Sequence, residues 1–325
     1  MKKRLIIAIL LFTLLLVGCM EQDSSTEAET TEDNTNEEFV ITDSLGEQTF
    51  EGAQERVVAI EWSIAEELLA LGVQPAGVAD VEGFNTWVTI DAQLDDTVVD
   101  VGLRTEPNIE EIAKLEPDVI IGVAGYQEAM VPELEKIAPV VLYETATEEV
   151  LEDLYANTLE NLKTTAQLVG REQEAEQAIA DLEERLAAAK ENIEAADLPT
   201  NEFVFTQAFS VSDVPTFRLF TPNSMVSHVL EGMGLTNKIQ DQDAVDYGFI
   251  EANVEGVSNY QEALFLHTVQ EDDPLFDNLA DNSAWNSLYF VENDAMHDIG
   301  AGVWTFGSVL SMETLIENVE EALTK

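Results

Sequence analysis

The alternation of apolar and polar positions is clearest in one long segment near the middle of the chain. Between residues 171 and 196 the apolar side chains recur every three or four positions and share one helical face: Ile179, Leu182, Leu186, Ala189 and Ile193. Because the segment holds neither Gly nor Pro, the pattern predicts one unbroken helix of about 40 Å. This helix either joins two α/β halves or lies on the surface of one large domain.

Short β-branched runs alternate with helical stripes before this helix. Residues 56–60, 98–102 and 139–144 have the composition of strands, and the stripe that begins at Ile64 ends at Gly72. This alternation predicts a parallel sheet covered by helices on both faces. In such sheets ligands meet the loops at the carboxyl ends of the strands.

The residues after the long helix repeat the same kind of pattern. Residues 202–207 and 263–267 have the composition of strands, and helices are predicted for the stretch that ends at Gly234, for residues 277–288 and for residues 308–323. The fold class is therefore α/β in both halves.

Six aromatic or basic residues lie in predicted loops and are candidates to line a cleft. Three follow first-half strands and three lie in Gly-containing loops of the second half: Trp87, Arg104, Tyr126, Tyr247, Trp304 and Phe306. Arg104 is the only obvious cation among them. A surface ion pair would also explain Arg104, and packing would also explain the aromatic residues.

The motifs of an enzyme are missing from the sequence. It contains no Gly-rich phosphate loop, serine elbow or zinc motif. His228, His267 and His297 lie far apart, without the spacing of a closed metal site. We therefore expect neither catalysis nor a resident cofactor or metal.

The first nineteen residues predict an export signal. Lys2, Lys3 and Arg4 precede an apolar run that is too short to span a bilayer comfortably, and Leu16-Val17-Gly18-Cys19 resembles the bacterial lipobox. The resemblance implies that Cys19 carries a lipid; the alternative is a soluble secreted protein with an incidental cysteine. Residues 20–38 are almost entirely polar and acidic, which predicts a solvated tether.

The overall charge restricts the partners. The chain has 65 acidic residues against 14 Lys and Arg, a formal net charge of −51. Such a surface repels nucleic acid and anionic lipid. It also favours neutral or cationic ligands over polyanionic ones.

Four motifs carry a resemblance to a known family. VGLRTEPN, VAGY, FTPNS and the late AWNSLYFV…VWTFGSVLS resemble the solute-binding proteins of bacterial iron–siderophore ABC importers, and among them the ferric-hydroxamate binders. The resemblance runs from Arg56 to Leu323. It implies two α/β lobes, 39–170 and 197–325, which are joined by the helix 171–196 with a ligand cleft between them.

The resemblance also implies roles for individual residues. Arg104 and Tyr126 match the pair that donates hydrogen bonds to iron-bound hydroxamate oxygens, which suits partly negative oxygens on an apolar cage. The expected wall aromatics are Trp87, Trp304, Tyr247 and, more weakly, Phe306. Glu110 and Glu255 match the surface glutamates, one per lobe, that dock on the permease.

Together these features predict a monomeric, lipid-anchored receptor on the extracytoplasmic face of the cell membrane. Its ferric siderophore is transported cargo, which the receptor delivers to ABC permease subunits. The alternatives are a receptor for ferric citrate, heme or cobalamin on the same fold, or a surface adhesin or hydrolase.

Overall fold

A computed structural model describes residues 38–212, 214–240 and 242–325. The predicted signal peptide, Cys19 and the tether up to residue 37 lie outside these described residues. A helix long and apolar enough to cross a membrane does not occur in the described part of the chain.

The first half consists of short strands separated by helices. Its strands are β1 (Glu38–Asp43), β2 (Gly46–Glu51), β3 (Val57–Ala59), β4 (Gly77–Val78), β5 (Val99–Asp100), β6 (Gly102–Leu103), β7 (Glu106–Pro107), β8 (Val119–Val123) and β9 (Val140–Tyr143). Its helices are α1 (Trp62–Ala70), α2 (Val81–Trp87), α3 (Ile109–Lys114), α4 (Val131–Leu134), α5 (Glu148–Glu152) and α6 (Leu154–Val169). A 3-10 turn, Glu128–Met130, precedes α4.

The predicted parallel sheet is present, in the order β5-β4-β3-β8-β9. Its central strand shows why β-branched runs build it. Val57 and Ala59 belong to the core on one face, while Val58 belongs to a second core on the other face. Because both faces are buried, the strand is continuously apolar rather than alternating.

The long helix predicted for residues 171–196 is α7, Glu172–Ala195. Gly170, in the left-handed conformation at φ 64°, ends α6 and allows the chain to turn into α7. Leu182, Ala189 and Ile193 are buried on the inner face of α7, as the pattern predicts. The helix therefore contributes an apolar stripe to the core and exposes its charged face.

The second half forms another α/β layer. Its strands are β10 (Glu202–Val211), β11 (Val214–Phe220), β12 (Thr236–Asn237), β13 (Phe249–Ala252), β14 (Leu264–Thr268) and β15 (Met296–Asp298). Its helices are α8 (Met225–Gly232), α9 (Val254–Val257), α10 (Leu275–Leu279), α11 (Ser283–Asn286), α12 (Tyr289–Glu292) and α13 (Val309–Thr324), and a 3-10 turn covers Asp246–Gly248.

The second sheet is mixed, with the order β13-β11-β10-β14-β15 and β12 beside β10. The hairpin β10–β11 and the pair β11–β13 are antiparallel, whereas β14 and β15 run parallel to their neighbours. The single helix predicted for residues 277–288 is wrong. Asn282 accepts from the N–H groups of Ala284 and Trp285 and so starts α11 as a separate helix.

One hydrophobic core joins the two halves through α1, α6, α7, α8 and α13. A buried carboxylate fixes this packing, because Glu66 on α1 accepts from the N–H groups of Ser308 and Ser311 at 2.8 and 2.7 Å and from the Ser311 hydroxyl at 2.7 Å. Burial raises the pKa of Glu66 to about 7. A side chain at Gly307 would collide with this carboxylate. Glu66 thus ties a first-half helix to the start of α13.

Candidate functional site

A cavity of about 420 Å³ lies between the two halves and receives side chains from both. The first half contributes loops after its strands, α6 contributes one side, and the second half contributes β11, the 3-10 turn and the segment before α13. Five of the six predicted ligand residues line it: Arg104, Tyr126, Tyr247, Trp304 and Phe306. Loops that are far apart in the sequence thus meet at one place.

The sixth predicted residue, Trp87, does not line this cavity. Asp80, in the left-handed conformation, accepts from the Gly83 N–H and starts α2, so the predicted loop is a helix whose last residue is Trp87. The partly buried indole of Trp87 packs against the main core. The structure therefore does not bring Trp87 together with the other five residues.

A hairpin and a buried amide position Arg104. The residue lies in the turn between β6 and β7. The Gln127 amide, which is fully buried, donates to the Arg104 carbonyl at 2.8 Å and accepts from the Val123 N–H at 2.9 Å. Gln127 therefore fixes the Arg104 turn to the end of β8, beside Tyr126.

The first turn of α1 holds the Arg104 guanidinium. Glu61, the N-cap of α1, accepts from Arg104 Nη1 at 2.6 Å. The guanidinium carbon lies 3.9 Å from the centre of the Trp62 ring, and the Trp62 indole donates to the Ala79 carbonyl at 3.0 Å. A guanidinium that is both paired and stacked is held in one orientation. Neither Glu61 nor Trp62 belonged to the predicted site, because each looks in the sequence like an ordinary residue at the start of a helix.

Aromatic rings from the second half form the opposite wall. Tyr247 has a left-handed backbone at φ 57°, and its ring stacks on Tyr126 with the centroids 6.2 Å apart. Burial raises the pKa of the Tyr247 phenol. Phe306 lies between Tyr247 and Trp304, at 6.4 and 5.4 Å. The left-handed backbone of Tyr247 is strained for a residue other than glycine, and such strain is often found at functional sites.

The expectation of a single cleft cation is wrong, because Arg218 on β11 also lines the cavity. Its Nη1 donates to the Gln207 amide oxygen at 3.1 Å, and its guanidinium carbon lies 4.8 Å from the centre of the Phe249 ring. Sequence reasoning searched the loops after strands and missed a side chain on a strand of an antiparallel hairpin. The alternation of apolar and polar residues along β11 was the available signal.

A neutral carboxyl lies at the floor of the cavity. Glu67 is 1% exposed, and its Oε2 accepts from the Thr165 hydroxyl at 2.5 Å, which in turn contacts the Tyr143 hydroxyl at 2.7 Å. Burial raises the pKa of Glu67 from 4.5 to about 8. Glu67 therefore adds no negative charge to the cavity below that pH.

This pKa predicts how stability depends on pH. The folded state binds a proton on Glu67 that the unfolded chain loses near pH 4.5, so the contribution is complete below that pH and is lost as the pH rises through about 8. We expect Glu67→Gln, which keeps the shape without titrating, to melt at a higher temperature than the wild type at pH 9 and at a similar temperature at pH 5. The measurement is thermal unfolding across this range. Glu184→Gln, on the exposed face of α7, is the control, and the same profile in both variants would contradict the assignment.

The two predicted docking glutamates lie at the same position of two short, capped helices. Glu110 is the second residue of α3 and Glu255 the second residue of α9, and both are exposed. Each helix is capped by an asparagine, Asn108 or Asn253. Both carboxylates therefore project from rigid, short helices, one in each half.

The lining suits binding rather than catalysis. It combines guanidinium and phenol donors with an aromatic wall, the composition of a ligand pocket with a few polar groups that orient the ligand. Among the described residues there is no group of three or more His, Cys, Asp or Glu that could hold a metal ion. The arrangement can bind oxygen atoms that carry partial negative charge on a bulky apolar body.

The fold and the cavity together define a two-lobe solute-binding protein. The model of the periplasmic binding protein family matches residues 57–301, so the chain belongs to that family. Members are solute-binding proteins of ABC transporters, which confirms the prediction that this protein is not an enzyme. The predicted fold class, two α/β lobes joined by one long helix, is also confirmed.

Relatives that are named for different ligands match over most of the chain. It is 27% identical over 317 residues to the Fe(3+)-citrate-binding protein YfmC of Bacillus subtilis, covering 97% of this chain and 95% of the relative. It is 28% identical over 269 residues to the iron(3+)-hydroxamate-binding protein FhuD of Escherichia coli, covering 82% and 86%. The crystal structure of the siderophore-binding protein FhuD of Vibrio cholerae with bound Fe3+–Desferal gives a TM-score of 0.73 at 26% identity, over 83% of this chain and 98% of that one.

Proposed function

We propose that this protein captures a ferric siderophore of the hydroxamate type in the cavity and delivers it to an ABC importer. The observation that carries the proposal is the meeting of Arg104, Tyr126 and Tyr247 with an aromatic wall in one cavity between the lobes. The hydroxamate-binding relative and the Desferal-bound structure support the same ligand class. The iron complex is transported cargo.

The donors match the chemistry of such a complex. A ferric hydroxamate presents partly negative oxygens on a mostly apolar cage. Arg104 uses Nη1 for Glu61, and its other N–H groups make no hydrogen bond to the described residues, so they are free to donate to those oxygens together with the Tyr126 hydroxyl. Trp304 and Phe306 then contact the apolar surface of the cage.

Capture and delivery involve both lobes. We place the lobes at 39–170 and 197–325, with residues 171–196 as the connection that restrains their closure. Glu110 and Glu255, one on each lobe, dock on arginines of the permease. Cys19 carries the lipid that holds the monomeric receptor at the extracytoplasmic face of the membrane.

Quenching of tryptophan fluorescence tests the ligand class. Ferric complexes of an uncharged hydroxamate (ferrichrome), a cationic hydroxamate (ferrioxamine B) and citrate are titrated into the purified protein. We expect saturable quenching by the hydroxamates at micromolar or lower concentration and weaker binding of ferric citrate. Binding of ferric citrate alone would contradict the proposal, and a Soret or corrin spectrum on the purified protein would indicate heme or cobalamin.

The same titration, carried out on tryptophan variants, tests whether the iron complex binds beside Trp304. Trp304 lines the cavity, whereas Trp87 packs on the core outside it. Trp304→Phe should lose a substantial part of the quenching signal, with the remainder due to Trp62, whose ring lies 5.0 Å from that of Trp304, while the matched control Trp87→Phe should keep the signal. Loss of the signal in the Trp87 variant alone would place the cargo elsewhere.

Ferric citrate is the second candidate. Arg218 supplies a second guanidinium to the cavity, and two guanidinium groups suit an anionic chelate better than one. The citrate-binding relative, which matches 97% of the chain, favours the same alternative. The charge balance around Arg104 decides between the two ligand classes.

A further inference from the structure

A carboxylate is built into the wall of the cavity beside its main donor. Glu61 lines the cavity and is 7% exposed. Its Oε1 accepts from Arg104 Nη1 at 2.6 Å and from the Trp62 N–H at 3.0 Å. Its Oε2 is buried and has no hydrogen-bond partner among the described residues. Such a buried acceptor is costly unless a neighbouring or bound group compensates for it.

The pairing with Glu61 affects the positive charge of Arg104 and its hydrogen-bond donors differently. The carboxylate cancels most of the positive charge that a ligand would sense, because the two groups are in contact and Arg104 is only about a quarter exposed. The remaining guanidinium N–H groups stay available as donors. Arg104 can therefore bind oxygens that carry partial charges without creating a field that attracts full anions.

The other charged groups of the cavity do not restore an excess of positive charge. Arg218 lies 3.9 Å from the Glu251 carboxylate on the neighbouring strand, and the cavity lining also includes the acidic Glu144. Glu67 is uncharged below about pH 8 because burial raises its pKa. The cavity as a whole is thus close to neutral, inside a protein with a net charge of −51.

We infer that Glu61 is a specificity-determining residue, which excludes polyanionic iron chelates and admits uncharged complexes and complexes with a cationic amine. The inference rests on the proposed function and adds the residue that selects among its ligands. A citrate-type chelate must bring ionised carboxylates close to the negative charge of Glu61, which repels them, whereas the same charge attracts an ammonium group of the ligand.

The test compares three ferric probes on the wild type and on Glu61→Gln. The amide keeps the shape and can still accept from the Trp62 N–H, but it leaves the Arg104 charge uncompensated. We expect the Kd for ferric citrate to fall about tenfold, the Kd for cationic ferrioxamine B to rise severalfold and the Kd for uncharged ferrichrome to change less than about threefold. The shift should shrink as salt is added.

Two further variants keep the test decisive. Glu61→Asp retains both the charge and a good N-cap, so it should keep the wild-type order of the probes even if Glu61→Gln folds poorly. Glu144→Gln removes a carboxylate that lines the cavity without contacting Arg104. We expect it to change the Kd values for ferric citrate and ferrioxamine B less than Glu61→Gln does. Equal changes in Kd for Glu61→Gln and Glu144→Gln would indicate a general effect of the cavity charge and would contradict a specific role for Glu61.

The outcomes for the inference and for the proposed function are distinguishable. If the wild type binds hydroxamates and Glu61→Gln leaves the Kd values for ferric citrate and ferrioxamine B unchanged, the inference on Glu61 is overturned while the proposed function stands. If the wild type prefers ferric citrate or binds none of the probes, both are overturned.

Discussion

Uptake of the ferric siderophore by cells should stop when Glu110 and Glu255 are both replaced by Ala, while the Kd of the purified protein for the same complex stays within about twofold. Both side chains are exposed on short capped helices outside the cavity lining, so their removal leaves the ligand contacts in place. The loss should be near complete because, in the proposed docking, the two glutamates are the contacts that the lobes make with the permease. The measurement pairs uptake of iron-labelled siderophore with fluorescence titration.

The control for this experiment is a double variant on the long helix. Glu176 and Glu184 are exposed residues of α7, so Glu176→Ala with Glu184→Ala removes the same number of charges from a different face. Uptake should persist in the control. In a chain with 65 acidic residues this comparison is essential, because a general charge effect would lower uptake in both double variants and would refute the docking assignment.

Replacement of Arg104 should weaken siderophore binding by about a hundredfold or more. The guanidinium supplies the charge-assisted donors on the first lobe, and each such hydrogen bond contributes about 1.5–3 kcal/mol. Arg104→Lys should lose most of the affinity as well, because an ammonium cannot bond Glu61, stack on Trp62 and face the ligand at once. The Kd is measured by fluorescence titration.

The experiment on Arg104 must distinguish a loss of ligand binding from a loss of folding. Arg104→Ala leaves the Glu61 carboxylate buried without its partner, which destabilises the protein. The double variant Arg104→Ala with Glu61→Gln removes that charge and should recover stability without recovering affinity. Arg56→Ala, which breaks an exposed pair with Asp118, is the matched control. Affinity within about threefold of the wild type in both Arg104 variants would contradict a ligand contact.

The sequence predicted the fold to the extent that local pattern determines it. The helix at 172–195 follows from apolar spacing and the absence of Gly and Pro, and the first sheet follows from β-branched runs. The antiparallel strands β11 and β13 were not predicted, because their pairing depends on partners elsewhere in the chain. The predicted helix at 277–288 was wrong, since a cap at Asn282 divides it.

The residues that line the cavity were predicted where a residue's position along the chain is sufficient, and they were missed where contacts with distant residues decide. Arg104 and Tyr126 follow strands that the sequence predicts for a parallel sheet, so both were expected near one cleft. The role of Glu61 depends on a contact with Arg104, 43 residues away, and that of Gln127 on contacts with Arg104 and Ile60. The structural environment of Trp87 depends on a local helix start at Asp80. Spacing in the sequence carries no information about such contacts.

Glu66 fastens α1 to the first turn of α13, and α13 packs along α7 through the shared core. These attachments lie next to the cavity, since the neighbouring Glu67 and Gly307 belong to its lining, but Glu66 itself does not line it. A receptor whose two lobes are held together in this way should release its bound ligand slowly when no transporter is present. We therefore expect the residence time of the iron complex to be long in the free receptor and to shorten when the receptor docks on its permease.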